Sequence, residues 1–183
     1  MSIYISACYN YAMPINTAPD IHEQIICANI FIRKDDKYLV MRRSPLKKYA
    51  PDVVHPVGGK VDLGENPYTA AVREVAEEAG VAVRNMRLEA VIQEIKPIKD
   101  EPYNWLVFHF SADYKSGEVI SAEEGELIWL TPDEIRNETL FPTVRLIIDH
   151  ILDHEKGTVF TTVEYDDNKQ NIIGHTLDFC VIE

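Results

Sequence analysis

Cysteine, glycine and basic residues are scarce in this chain of 183 residues, and long apolar runs are missing. The three cysteines, Cys8, Cys27 and Cys180, are widely spaced and form no CxxC or Cys/His pattern. That argues against a disulfide framework and a structural zinc site, and points to reduced thiols in a cytoplasmic protein. No stretch approaches the roughly 18 apolar residues of a spanning helix, and the start MSIYISACYN lacks the basic region of a secretory leader. Basic residues number 18 against 30 acidic ones, a net charge of −12. A field of that sign opposes nonspecific attachment to nucleic acid or an anionic membrane, so neither is expected as a partner. A phosphorylated small molecule is still compatible, because a metal and a few basic groups can meet its charge locally.

What is there is ordinary for a soluble globular domain: 46% hydrophobic and 26% charged residues, with enough length for one substantial core. QIICANIFI (24–32) and KYLVMR (37–42) read as strands joined by a KDD turn, and residues 44–54 as a polar loop. Leu88–Ile95, Trp105–Tyr114 and Glu126–Leu130 read as further strands. Thr131-Pro132-Asp133-Glu134 has the form of a helix start. Phe141 to His154 predicts an amphipathic helix with Val144, Ile147, Ile148 and Ile151 on its apolar side. TVFTTVEY and NIIGHTLDFCVI, flanking Asp166-Asp167-Asn168-Lys169, predict a terminal hairpin. The apolar run IYISACYNYAM, followed by Pro14 and Pro19, is expected to add a strand or to form a homodimer seam.

The stretch GGKVDLGENPYTAAVREVAEEAGV, residues 58–81, carries the chemistry. Asn66 suits an N-cap, Pro67 the first helical position and Gly80 the residue after the end, which predicts a helix over 67–79. Tyr68, Ala71, Val72, Val75, Ala76 and Ala79 fall on one apolar face. Glu74, Glu77 and Glu78 form a separate stripe, with Arg73 on the far side of the apolar face. The stripe is poor for stability. Glu74 and Glu78 are like charges one turn apart, costing about 0.2–0.5 kcal/mol. Glu77 and Glu78 sit at the negative end of the helix dipole, at about 0.3–1 kcal/mol each. The stripe is either a solvated acidic face or a set of hard oxygen ligands for Mg²⁺ or Mn²⁺.

The flanking residues resemble the Nudix box, G-x5-E-x7-R-E-U-x-E-E-x-G-U with U a bulky aliphatic. Gly59, Glu65, Arg73, Glu74, Val75, Glu77, Glu78, Gly80 and Val81 fill every fixed position. The resemblance implies an α/β/α sandwich with a mixed sheet over residues 22–154. A 1–21 extension would precede it, and residues 155–183 would follow as a C-terminal β-hairpin packed on the domain. It also implies hydrolysis of a nucleoside diphosphate linked to a group X, with Mg²⁺ or Mn²⁺ as cofactor and a small nucleotide as substrate. By position, Glu77 and Glu78 match the main metal ligands, and Glu74 a further ligand or the general base. The resemblance further implies the Gly58 carbonyl as an extra ligand, Arg73 as the group that orients the carboxylates, and Glu65 as a brace for the loop. An acid on a later loop often completes such sites; the loop SAEEGE offers Glu123, Glu124 and Glu126, of which Glu124, preceding a glycine, is favoured.

Arg42 and Arg43, at a strand end, and Lys60 are placed as in MutT-type members, where an arginine there meets substrate phosphates. Val57 departs from the glycine common in the loop. Phe141-Pro142 offers a base-stacking surface but is followed by Thr143 and Val144, not by the acids that grip a modified purine in some relatives. A nucleoside triphosphate cleaved to monophosphate and pyrophosphate is the first expectation. Pro97, spaced beyond the box as in ADP-ribose-cleaving members, makes ADP-ribose or another nucleotide-sugar the second. A noncatalytic ligand sensor of this fold fits less well, since such proteins typically lose box carboxylates.

Overall fold

The computed structural model describes residues 24–47, 50–120 and 125–180. The expected N-terminal strand or dimer seam (1–21) and Glu124 lie outside the described residues.

Among the described residues a mixed sheet of ten strands forms the middle layer. β1 (Gln24–Lys34) is its axis, running parallel to β6 (Asn104–Gly117) along one edge. Its other edge is shared. β4 (Val57–Lys60) pairs with Cys27 to Ile30, and β2 (Lys37–Arg43) with Ile32 to Lys34 across a tight turn at Asp35 and Asp36. β3 (Val54–His55) lies on β2, and Pro56 separates it from β4. Proline has no ladder N–H to give, so pairing breaks there and the chain passes from β2 to β1. β5 (Val81–Ile95) and β7 (Gly125–Leu130) lie antiparallel to β6 and β2.

β5 begins well before the segment its sequence pattern suggests. Register shifts at Ala82/Val83, Arg84/Arg87 and Leu88/Ala90 break the two-residue alternation there, so the early part of the strand is invisible to a periodicity argument. The predicted hairpin is incorporated into the sheet. β8 (Thr158–Tyr165) runs parallel to β5, and one interrupted strand, β9 (Ile172–His175) and β10 (Asp178–Cys180), pairs antiparallel with β8.

Helices cover both faces. Alternate residues of β1 divide the core, with Cys27 and Phe31 on one side and Ala28, Ile30 and Ile32 on the other. On the first side, α2 (Pro132–Asn137) starts from a Thr131/Glu134 capping box, and α3 (Pro142–Leu152) has Phe141 at its N-cap. Val144, Ile147, Ile148 and Ile151 are all buried, as the spacing predicts; each such side chain contributes roughly 1.5–3 kcal/mol.

On the second side lies α1 (Pro67–Glu74), capped by Asn66, whose side chain accepts from the N–H groups of Tyr68 and Thr69. Its final turn, Val75–Ala79, is a π-turn that ends at Gly80 with φ 68°. The inward face differs from the expected one. Ala70, Ala71, Val75 and Ala79 are buried, while Tyr68, Val72 and Ala76 are exposed. The helix is rotated so that Glu74 also turns inward, and the wider last turn holds the acidic residues beside β4.

Candidate active site

One guanidinium organises the acidic stripe. Arg73 Nε and Nη2 donate to the two Glu65 carboxylate oxygens at 3.2 and 3.0 Å. Nη1 donates to Glu74 at 2.8 Å and Glu77 at 3.1 Å, and Nη2 also reaches the Lys60 carbonyl at 3.1 Å. Arg73 is therefore not remote from the stripe, as its Cα position on the helix suggests. The long side chain carries the charge back across the turn, and the i,i+4 spacing puts Glu77 within reach. Glu65 foremost, then Glu74, holds the arginine above its ordinary pKa, and Arg73 in turn holds the Glu65 carboxyl below its own. Glu65 also accepts from the Asp62 N–H at 3.2 Å, which ties the loop ahead of α1 to the helix.

Gly59 explains why Glu74 can point inward. A Cβ there would lie 2.5 Å from Glu74 Oε1, 2.7 Å from its Cδ and 2.9 Å from Oε2. The glycine is a cradle for a carboxylate that is 9% exposed. At Gly58, φ is +151° and a Cβ would lie 2.2 Å from the Ala28 carbonyl oxygen. The Gly58 N–H donates to Glu78 Oε2 at 3.4 Å, so its amide, not its carbonyl, is the group in contact with a box carboxylate. Glu77 stays largely exposed.

Among the described residues no three carboxylate, imidazole or thiol groups converge on one point, because Glu74 and Glu77 both turn to Arg73. The donor set still fits a hard divalent cation. Three carboxylates share one helix end, one of them seated in a side-chain-free cradle, and the chemistry is all oxygen.

A cavity of about 410 Å³ opens beside the box and runs along the sheet face that carries α3. Gly58, Gly59, Lys60 and Glu78 line one end. Its other walls include Glu94, Trp105, His109, Phe141 and Pro97. The registers Glu94↔Trp105, Ala90↔His109 and Asn29↔His109 put these side chains on one face. His109 stands at the level of Asn29, next to Gly58, and Trp105 four residues back along β6, about 13 Å away. The cavity thus links the acidic end to an aromatic end.

The expected phosphate-binding pair divides. Arg43 lines the cavity, its guanidinium 6.0 Å from the Phe141 ring centre and its Nε buried without a hydrogen-bond partner. Arg42 does not line it. Both its Nη atoms donate to Glu138, at 2.9 and 2.6 Å. Phe141 also meets His55 edge-on at 5.8 Å.

Among the cavity residues that escaped the reading of the sequence are Glu94, Trp105, His109 and Tyr165. Glu94 is 8% exposed, and the Tyr165 hydroxyl donates to its Oε2 at 2.9 Å. Burial raises its pKa, with Tyr165 and Thr143 hydrogen bonds opposing the rise. Neither ring nitrogen of His109 has a partner, nor does Trp105 Nε1, and burial pulls the imidazole down to about 3, so it is neutral. Glu94 shares β5 with a second buried acid, Glu89, so the strand's own pattern did not single it out. Cys27, on the same wall, is a buried thiol pushed up to about 12.

The NUDIX domain model matches residues 24–151. This chain belongs to the NUDIX family and is similar to its MutT-like members. The NAD-capped RNA hydrolase NudC of Pseudomonas aeruginosa is 32% identical over 126 residues, 68% of this chain and 41% of that protein. The chain therefore spans about two-fifths of the NudC relatives it matches. A MutT-like protein of Streptomyces ambofaciens is 30% identical over 120 residues, 65% of this chain and 70% of that one. The mMutator MutT protein of Bacillus halodurans superposes with a TM-score of 0.73 at 25% identity, covering 84% of this chain and 97% of that one. No described helix is long and apolar enough to cross a membrane.

Proposed function

We propose that this protein hydrolyses nucleoside triphosphates to monophosphate and pyrophosphate in the cytoplasm, with Mg²⁺ or Mn²⁺. The observation that carries the reading is the single cavity joining the box glycines and Glu78 to an aromatic wall. One end suits a metal-bound phosphate chain and the other a base. Similarity to MutT-like proteins supports it.

In this reading Glu77, Glu78 and Glu74 would hold the cation, which when bound would lower the pKa of a water and offset charge on the phosphates. Arg73 orients Glu74 and Glu77 through one shared nitrogen, and Glu65 anchors Arg73. Arg43 and Lys60 meet the phosphate oxygens, a task for which the guanidinium fork is well suited. Phe141 stacks on the base. The proton of the water goes to Glu74, if it is not engaged as a ligand, or to Glu124.

One feature favours a second reading, a pyrophosphatase acting on ADP-ribose or another compound with a second group beyond the diphosphate. Pro97 is buried and forms part of the cavity wall with Ile98. The name of the NudC relatives, NAD-capped RNA hydrolases, fits such linkages and brings a capped RNA into the test. The test is product analysis with Mg²⁺ over nucleoside triphosphates, ADP-ribose, NADH and an NAD-capped oligonucleotide, with Glu77→Gln as control. Pyrophosphate from a triphosphate, lost in the variant, supports the first reading. AMP from ADP-ribose or NADH with triphosphates untouched would replace it by the second, and no turnover of any compound would return the sensor reading.

A further inference from the structure

Thr143, two residues after Phe141, shares the cavity wall with an acid from another strand. Glu94 on β5 lies under Thr143, the residue that stands in the expected place of the acid, and Thr143 hydrogen-bonds to it. Tyr165 braces the same carboxylate from β8, outside the residues matched by the family. Trp105 is the cross-strand neighbour of Glu94, with side chains on one face about 5 Å apart at Cβ. Its indole Nε1 is buried and unpartnered. Glu94 and Trp105 both line the cavity, so an acceptor and an unsatisfied donor share one wall.

We infer that Glu94 and Trp105 select the base of the substrate, favouring bases that present a ring N–H next to a carbonyl: guanine, hypoxanthine, uracil or thymine. The inference rests on the nucleotide reading above. A carboxylate has roughly four acceptor sites, so the Tyr165 and Thr143 donors leave room for a ring N–H. The Trp105 N–H can serve only as a donor, and the adjacent base carbonyl matches it. Adenine and cytosine present a ring nitrogen lone pair at the same place, which would face the Glu94 lone pairs. The desolvated wall makes that mismatch costly, because buried polar groups left unpaired are penalised in full. Tyr165 is a positioning residue here: it holds Glu94 and need not touch the base.

The test compares kcat/KM for GTP against ATP and for UTP against CTP, in the wild type, Glu94→Gln and Tyr165→Phe, with thermal melting to confirm folding. A glutamine amide keeps the shape but offers an acceptor and a donor, so it accommodates either base class. The wild type should prefer GTP and UTP by about tenfold or more, Glu94→Gln should collapse both ratios, and Tyr165→Phe should lower them partway. A structural role alone would depress all four substrates together and leave the ratios unchanged. Unchanged ratios in both folded variants, or no preference in the wild type, overturn the inference while metal-dependent turnover upholds the proposed function. Failure of the wild type to cleave any nucleotide overturns both. Should Glu94→Gln not fold, Tyr165→Phe alone decides: unchanged ratios there reject the inference.

Discussion

Replacing Gly59 by alanine should separate activity from stability, because the added methyl meets only the end of a side chain. Its Cβ would fall 2.5 Å from Glu74 Oε1, about 0.9 Å inside ordinary contact near 3.4 Å. The carboxylate can retreat by that distance through its own torsions. It gives up the close approach to β4 and part of its 2.8 Å ion pair with Arg73, a loss of about 1 kcal/mol or less. The same retreat displaces a candidate ligand by nearly an ångström, enough to cost roughly a hundredfold in kcat. Gly58→Ala is the contrast. There the methyl meets the Ala28 carbonyl oxygen at 2.2 Å and Asn29 Cα at 2.7 Å, at a φ of +151°. These atoms belong to the backbone of β1, paired with β4, and cannot turn aside, so the variant should lose several kcal/mol, about 3 or more. Urea melts and Mg²⁺-dependent turnover, measured side by side, check both. A Gly59→Ala protein with wild-type kcat would refute the cradle argument, as would one destabilised as severely as Gly58→Ala.

Mg²⁺ at about a hundred times its dissociation constant should stabilise the protein by about 2.7 kcal/mol, or roughly 5–10 °C for a chain of this size. A Glu77→Gln/Glu78→Gln double variant should show no such shift in a melting scan, and a full shift there would remove the box from the metal site. Arg43→Ala should lower kcat/KM more than Arg42→Ala, because Glu138 already holds Arg42; the opposite order would return Arg42 to the phosphate site. Arg73 depresses the Glu65 pKa below 4.5, so this pair adds stability above the unfolded value and loses it as pH falls through the folded one. Glu65→Gln should therefore flatten the melting curve below about pH 4.5, and an unchanged acid limb would show that the pair carries no linkage.

The helix bounds, their caps and the box composition were legible because each depends on neighbours in the chain. Asn66, Pro67 and Gly80 act through backbone groups within four residues, and Thr131 with Glu134 likewise. The inward face of α3 followed from an unbroken 3.6-residue period. Where that regularity failed, so did legibility. Bulges hid the first part of β5, and a π-turn with the glycine cradle rotated α1 away from its apparent apolar face. Arg73 went astray because a helical wheel records where a side chain starts, not where its charge ends.

What the sequence determined by itself was the family, the layered fold and the acidic stripe, all carried by short fixed spacings. Only the tertiary structure decided which groups face the cavity. Glu94 and Trp105 lie on β5 and β6, Phe141 on the approach to α3, and Tyr165 on β8. They meet through strand register and the parallel pairing of β8 with β5. Those choices are made by long-range burial and closure of the ladder, and no local pattern of residues encodes them.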